Sequence, residues 1–349
     1  MSGIVYGYSL TPDAIESLGE MPFGDAQQCV LGLKNLWRRN GYLVVDSHRA
    51  HFEQLLAAIG RLQQQRLRDL LKQVLDYHRE RVVRCGTWTA EVRVPSASAA
   101  VPPNGTWFVG STEGARWGLR DEERMAFETT NGVEICRFDR FNGSRWAGMP
   151  EVRNFREGTS VADLVEAFRP LNGTARVLTV IDAYAGKDEA STPGKSGLRR
   201  FLEGLLRSCD IYRSEIRTIA LYTATNVHEP DRNGEGRTVG TDEILKAWGD
   251  AAASFGNTSA LRFDLHLVNN RTFRDIVHDR YVRFGTSPLS FCFTIGNGFG
   301  AFSRTKLRTD CAVGPIPGED PDRVIAGLRR EASYVNHSIP IAHESSVKS

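Results

Sequence analysis

The first part of the chain alternates between short apolar runs and segments in which apolar residues recur every three or four positions. Apolar runs predict buried strands, and the three-to-four spacing predicts amphipathic helices. The two patterns follow one another in the order strand, helix, strand, helix, which is typical of an α/β domain. The segments are residues 3–7 (strand), 25–40 (helix), 42–45 (strand) and 47–81 (one or two helices, broken near Gly60).

A loop and two further strands complete this first region. Residues 95–106 carry Pro, Ser and an Asn-Gly pair, a composition typical of loops. Short apolar runs predict strands at residues 107–110 and 133–138. Residues 139–158 have no hydrophobic period, so we place a domain boundary around residue 155. Residues 1–150 are predicted to form an α/β domain whose role the sequence does not indicate.

The second half of the chain has clearer periods, and strands again alternate with helices. We predict a second domain over residues 155–315, followed by a C-terminal helix and a flexible tail over residues 316–349. The fold class is α/β with two domains. The predicted segments are a helix capped at 159/160 and ending at 168, strand 176–181, helix 198–209, strand 216–222, polar loop 226–240, helix 241–255, strands 261–267, 281–284 and 289–295, and helix 320–334.

Composition excludes several classes of protein. The 349 residues correspond to about two domains. Lys and Arg number 44 against 42 Asp and Glu, which excludes both a polybasic protein and an acidic disordered one. There is no apolar run of about 18 residues and no secretory signal pattern, so no transmembrane segment is expected. The six cysteines form no Cys-x-x-Cys pair, which favours reduced thiols in a cytoplasmic protein.

The near-neutral total hides two basic segments. Residues 195–217 hold six Lys and Arg against three acids, and residues 271–308 hold seven against two. Both segments fall in the second predicted domain. A local anion site is therefore compatible with the small net charge.

One short motif resembles a phosphate-binding loop. Gly194-Lys195-Ser196 lies between a predicted strand and a predicted helix, where such a loop is found. A Walker A motif needs a glycine five residues before Gly194, and Glu189 occupies that position. We therefore do not expect a nucleotide loop of that type. An anion site at this helix N-terminus stays open, because free N–H groups and Lys195 would converge there. Arg199 and Arg200 at the start of the same helix are expected to form a solvated face.

Other combinations of polar residues do not predict a metal or a cofactor. Gly296 to Gly300 form a glycine-rich stretch that does not open a helix, so a dinucleotide fingerprint is not expected. His48 and His51 lack a third ligand nearby in sequence. Scattered carboxylates of the first domain would suit a nuclease-like metal site only if the fold gathered them, and a scattered surface is the expectation. These carboxylates are Asp46, Glu113, Glu128 and Asp139.

The most informative residues lie around His278. His278 and Arg280 are two positions apart at the start of a predicted strand, so their side chains share a face while Asp279 points away. A strand ending in the turn Gly296-Asn297-Gly298 follows. An imidazole beside a guanidinium suits a phosphate group, because His can attack or donate a proton and Arg can hold two oxygens.

This segment resembles the phospholipase-D-like domain found C-terminal to MIT (microtubule interacting and trafficking) domains. That family has a His-Asp-Arg tripeptide leading a strand, then a Gly-x-Gly turn, and upstream a strand ending Asp-Pro-Tyr. Here Asp182-Ala183-Tyr184 matches, with Ala183 in place of the proline. The resemblance covers residues 155–315. Residues 1–150 do not resemble an MIT helical hairpin.

The resemblance implies a single phospholipase-D-type repeat, a mixed sheet flanked by helices. Active members of the wider superfamily use His-x-Lys, a downstream Asp and a Gly-Ser-x-Asn turn, and they need two such motifs. Here Arg280 replaces the Lys and Gly285 falls where the Asp is expected. No second His-x-Lys occurs in the sequence. These departures argue against ordinary phospholipase D catalysis.

Three interpretations of this region remain open. The first is a phosphate-recognising protein, without cofactor, that binds nucleic acid, an anionic lipid or a protein partner, as a homodimer or in a larger complex. The second is a dimeric phosphodiesterase or nuclease in which His278 and Arg280 are catalytic. The third is structural, with Arg280 paired to Asp182 or Asp264. Family analogy and an Arg-rich composition suggest a bacterial source and a role in phage defence or a mobile element. The candidate ligand-binding residues are Asp182, Tyr184, Lys195, Asn297, Arg304 and Lys306.

Overall fold

The chain divides into two compact units, and each is described on its own. The first is Met1–Glu151, and the second is Val152–Ser208 with Arg213–Ser349. The computed structural model describes residues 6–39, 41–45, 50–76, 82–84, 106–110, 125, 128–129, 134–138, 140, 152–173, 175–207, 216–229, 237–255, 261–277, 279–286, 290–302, 306–307, 309–316, 319–332 and 336–340.

The first unit is a parallel sheet with helices in its crossover connections. Its elements are β1 (Tyr6–Leu10), α1 (Pro12–Ser17), α2 (Phe23–Arg39), β2 (Gly41–Val45), α3 (Ala50–Arg61), α4 (Gln65–Asp76), β3 (Val82–Arg84), β4 (Thr106–Val109) and β5 (Glu134–Arg137). The described strands lie in the order β3-β2-β1-β4-β5, and all neighbouring pairs are parallel. Parallel strands need crossover connections, which α2 supplies after β1, and α3 and α4 supply after β2.

The sequence pattern of this unit is confirmed as α/β. Tyr8 in β1 pairs with Leu43 in β2, and both are buried in one apolar core. The expected break in the long helical stretch occurs one residue after Gly60, where α3 ends. Thr11 begins α1 by accepting a hydrogen bond from the Ala14 N–H, which satisfies one of the free donors of the first turn. No helix in the described parts of either unit is long and apolar enough to cross a membrane.

The second unit is a mixed sheet flanked by helices. Its first elements are β6 (Arg153–Phe155), α5 (Val161–Phe168), a 3-10 turn (Arg169–Gly173), β7 (Val177–Ile181), α6 (Ala185–Ser191), α7 (Gly197–Leu206), β8 (Thr218–Thr225), β9 (Val227–Glu229), β10 (Arg237–Val239) and α8 (Thr241–Ser254). The remaining ones are β11 (Arg262–Asn269), α9 (Asn270–Ile276), β12 (Tyr281–Phe284), β13 (Phe291–Ile295), a 3-10 turn (Phe299–Phe302), β14 (Cys311–Pro315), α10 (Glu319–Glu331) and β15 (Asn336–Pro340).

The strand order of the large sheet is β15-β11-β8-β7-β12-β13-β14-β6. β7, β8 and β11 run parallel, and every other neighbouring pair is antiparallel. The mixed sheet flanked by helices is therefore confirmed as a fold class. On one face, Phe168 of α5 packs against Phe201, Phe284 and Phe293, with ring centroids 5.1 to 5.6 Å apart. Ser160 caps α5 in a reciprocal box with Asp163, which fixes where this helix begins.

Three expectations for the second unit are wrong in detail. Residues 336–340 were expected to be flexible, but they form β15 and pair antiparallel with β11. The polar loop 226–240 contains the hairpin β9–β10. Residues 153–155, which lie in the stretch without a period, form the edge strand β6. All of these strands are short, and edge and hairpin strands carry weak period-2 patterns because little of their surface is buried.

Candidate functional site

Three chain segments meet at one edge of the large sheet. β7 ends at Ile181, which lies opposite Tyr281, the first residue of the antiparallel strand β12. Tyr281 also lies opposite Thr294, near the end of β13. The residues that follow β7, precede β12 and follow β13 are therefore brought together. We call this the β7 edge.

Asp182 directly follows β7 and is 1% exposed. Its Oδ1 accepts a hydrogen bond from the backbone N–H of Tyr184 at 2.9 Å, and its Oδ2 accepts one from the backbone N–H of Phe299 at 3.2 Å. Since Phe299 begins the 3-10 turn after β13, one carboxylate joins the ends of two strands. Burial raises the pKa of Asp182, opposed by the Tyr184 N–H and the Arg280 guanidinium.

Arg280 lies beside this carboxylate and is held on three sides. Its Nε is 3.8 Å from Asp182 Oδ1. Its Nη1 donates a hydrogen bond to the carbonyl oxygen of Gly296 at 3.1 Å, and its guanidinium carbon lies 5.4 Å from the centre of the Tyr184 ring. The side chain is nevertheless 29% exposed. A guanidinium with a fixed orientation and an open side is suited to recognising an oxyanion.

The structural interpretation expected Arg280 to pair with Asp182 or with Asp264, and the first of these pairs is present. Arg280 pairs with Asp182, whereas Asp264 pairs with Arg262 at 2.7 Å. The distance of 3.8 Å and the partial exposure make the Arg280–Asp182 contact a loose pair. It therefore leaves hydrogen-bonding capacity on the guanidinium, which has five N–H donors.

A second cation lies at the same aromatic ring. The ammonium of Lys187, in the first turn of α6, is 5.9 Å from the centre of the Tyr184 ring. Sequence reasoning missed Lys187, because its only signal was its place shortly after the carboxyl end of a strand, where ligands gather in α/β sheets. Tyr184 is half-buried and thus acts as a platform that both cations share.

The other predicted ligand-binding residues make their contacts elsewhere. Asn297 Nδ2 donates to the carbonyl oxygen of Asp310 at 2.5 Å and so fastens the turn to the start of β14. Lys195 is exposed on the loop before α7. The Lys306 side chain is exposed, and the backbone of Lys306 forms an isolated antiparallel β-bridge with Ser160. His278 and Arg304 lie outside the described residues.

The loop that resembles a phosphate-binding motif holds a carboxylate of the protein itself. Glu189 is 0% exposed and accepts hydrogen bonds from the Gly194 N–H at 2.9 Å and from the Ser196 hydroxyl. It also pairs with Arg199 Nη1 at 3.0 Å. The anion site that the sequence left open here is thus filled by Glu189, and Arg199 is paired rather than part of a solvated face. Glu189, the residue that breaks the Walker A pattern, therefore already occupies donors of this loop.

Most of the residues that the sequence offered as metal ligands lie outside the described residues. They are Asp46, His48, Glu113 and Asp139. Among the residues that the structure describes, no group of three or more His, Cys, Asp or Glu side chains is placed to hold a metal ion. His51 is described, and its Nε2 lies 2.8 Å from the carbonyl oxygen of Leu10.

Comparison with known proteins adds no relative. No family model, no curated protein and no solved structure matches this chain. The resemblance to a phospholipase-D-like domain therefore stays a prediction, and the function must be argued from the β7 edge itself.

Proposed function

We propose that the second unit recognises a phosphate group at the β7 edge without turning it over, as a degenerate phospholipase-D-like domain would. The observation that carries this proposal is the Arg280 guanidinium, which is partly exposed yet oriented by Asp182, Gly296 and Tyr184. Such a group can donate two parallel hydrogen bonds to an oxyanion with little loss of side-chain entropy. Lys187 would add a second positive charge beside it.

The absence of turnover is supported by the chain that follows β12. Active phospholipase-D-type sites have an acid downstream of the His-x-Lys motif, and here that place is taken by Gly285. Gly285 has φ +108, and its N–H donates to the Val177 carbonyl oxygen at 2.7 Å. A side chain is disfavoured in that backbone conformation, so an acid could not simply be restored there.

The phosphate source is proposed to be a polyanion, either nucleic acid or an anionic lipid surface. The two basic segments of the second unit support an extended anionic ligand. The described cysteines form no disulfide with one another, which supports a reducing compartment such as the cytoplasm. We further propose that the protein acts as a dimer or within a complex, in keeping with the bacterial source suggested by composition and the defence role suggested by family analogy.

The proposal is tested by binding measurements on the full chain. Inorganic phosphate, a single-stranded DNA oligonucleotide, and phosphatidylcholine vesicles with and without phosphatidylserine are the probes. Arg280→Ala should weaken binding of the preferred probe at least about tenfold, the loss expected for a charge-assisted contact. Arg262→Ala is the matched control, because Arg262 is an exposed, ion-paired arginine on β11.

Each outcome has a distinct meaning. Salt-sensitive binding to DNA with a shallower salt slope in Arg280→Ala supports nucleic acid as the source, and binding only to phosphatidylserine vesicles supports a lipid. Equal losses in Arg280→Ala and Arg262→Ala would refute a specific site. Metal-independent DNA cleavage that is lost in His278→Ala would instead establish the dimeric phosphodiesterase.

A further inference from the structure

Gly298 makes an unusually close approach to the cation of the β7 edge. It has φ +66 and is buried in the turn between β13 and the 3-10 turn that starts at Phe299. A Cβ built on Gly298 would lie 2.5 Å from Arg280 Nε, nearer still to Arg280 Cδ, and 3.1 Å from Asp182 Oδ2. The Arg280 side chain thus crosses directly over the α-carbon of Gly298.

We propose that Gly298 is a positioning residue for Arg280: the missing side chain lets the Cδ–Nε segment lie against the turn and aims the guanidinium outward. The inference rests on the proposed function, since it names what sets the direction of the phosphate-binding cation. The neighbouring contacts agree with it. Nη1 donates to the Gly296 carbonyl oxygen, two residues before Gly298, so the same turn contacts both the stem and the guanidinium of Arg280.

Displacement of Arg280 would also change the surroundings of the buried carboxylate. Asp182 Oδ2 accepts from the Phe299 N–H, directly after Gly298, so the turn and the carboxylate share one hydrogen bond. A Cβ at position 298 would therefore enter between the Asp182 carboxylate and the stem of Arg280. The stem of Arg280 would have to move, because the third nearest atom, Asp182 Oδ2, belongs to a carboxylate that two backbone N–H groups hold.

Backbone strain has to be separated from this collision, and the chain offers a matched control. Gly158 also has a positive φ, +84, but a Cβ there would meet nothing within 4 Å. Gly158→Ala therefore carries the conformational cost of a left-handed alanine without a collision. Gly298→Ala carries both the conformational cost and the collision with Arg280.

The first measurement is binding of inorganic phosphate to the full chain by calorimetry. Gly298→Ala should weaken binding at least about tenfold, as expected when a charge-assisted contact is lost, while Gly158→Ala binds as the wild type does. If Gly298→Ala binds phosphate as the wild type does, the inference is overturned and the proposed function stands. If the wild type itself does not bind phosphate, DNA or phosphatidylserine vesicles, the proposed function fails, and the inference fails with it.

The second measurement is a double-mutant cycle on stability, which needs no ligand. If Gly298→Ala acts through Arg280, its shift of the urea midpoint should shrink by at least half in an Arg280→Ala background, where the colliding stem is absent. Gly158→Ala should give the same shift in both backgrounds. Equal shifts for Gly298→Ala in both backgrounds would mean that only backbone strain is at work, which overturns the inference even if binding is lost.

Discussion

Glu189→Ala tests whether the loop before α7 is an anion site that the protein fills by itself. The substitution removes the acceptor of three donors: the Gly194 N–H, the Ser196 hydroxyl and Arg199 Nη1. Breaking a buried ion pair by removing one partner costs about 3–5 kcal/mol. Arg199 keeps hydrogen bonds to Glu203 and Ser254, both at 2.9 Å, so the low end of that range applies.

The expected loss is measurable by thermal unfolding. A loss of about 3 kcal/mol in a unit of this size lowers the melting temperature by about 6–12 °C. Glu189→Gln is the matched variant, because its amide oxygen can still accept a hydrogen bond while Arg199 keeps only one of its two carboxylate partners, Glu203. We expect its melting temperature to lie between those of the wild type and Glu189→Ala. A melting temperature of Glu189→Ala that equals the wild-type value would refute the assigned role of Glu189.

A second measurement compares how far added phosphate raises the melting temperatures of the wild type and of Glu189→Ala. In Glu189→Ala the vacated loop offers an N–H, a hydroxyl and a guanidinium to an external anion, so phosphate should raise its melting temperature more than it raises that of the wild type. A tenfold excess over the dissociation constant corresponds to about 1.4 kcal/mol, or about 3–6 °C. The extra shift should persist when Arg280 is also replaced by Ala. Equal phosphate shifts in the wild type and Glu189→Ala, with chloride at matched ionic strength as the baseline, would show that the loop is not an anion site.

Three further predictions follow from the contacts of the second unit. Asp182→Asn should cost about 1–3 kcal/mol in urea unfolding, because an amide can accept from only one of the Tyr184 and Phe299 N–H groups. Because burial raises the folded-state pKa of Asp182, the folded protein holds that proton more tightly than the unfolded chain does. The stability of the wild type relative to Asp182→Asn should therefore rise as the pH falls through the raised folded-state pKa and level off below about 4, and an opposite slope would contradict the assignment. Tyr184→Phe should leave phosphate binding unchanged and Tyr184→Ala should weaken it in calorimetry, since the ring face and not the hydroxyl supports Arg280; equal losses would point to the hydroxyl instead. Trp248→Ala should cost about 3–5 kcal/mol, because this fully buried ring stacks on Phe263, while Trp248→Phe should cost clearly less.

The fold was largely predictable because its central strands are buried on both faces. β7 coincides with a largely apolar run and β12 with the predicted strand 281–284, and the break after Gly60 follows from the end of the α3 pattern. β15 was missed because pairing with β11, not its own sequence, makes residues 336–340 a strand. Long-range pairing of this kind leaves no local signal.

The site was predictable only in part, for a similar reason. The nearness of Arg280 and Asp182 was one of the open alternatives, because strand order brings the end of β7 beside the start of β12. The role of Glu189 was not predicted, although it was recognised as the residue that spoils the Walker A pattern. A sequence motif shows that a carboxylate replaces a glycine, but only the fold shows that the carboxylate turns inward and fills the loop.

Two acids that follow β7 distinguish the two candidate anion sites of the second unit. Glu189 is 0% exposed and takes hydrogen bonds from its loop and from Arg199, whose side chain is only 16% exposed. An external phosphate would have to displace a carboxylate that is already in place. The two oxygens of Asp182 instead accept hydrogen bonds from two backbone N–H groups. Its Oδ1 lies 3.8 Å from Arg280 Nε, and the Arg280 side chain is 29% exposed. The cation with the weaker internal partner is the one left for a ligand, which is why we assign phosphate binding to Arg280 and not to the loop that looks more like a phosphate-binding motif.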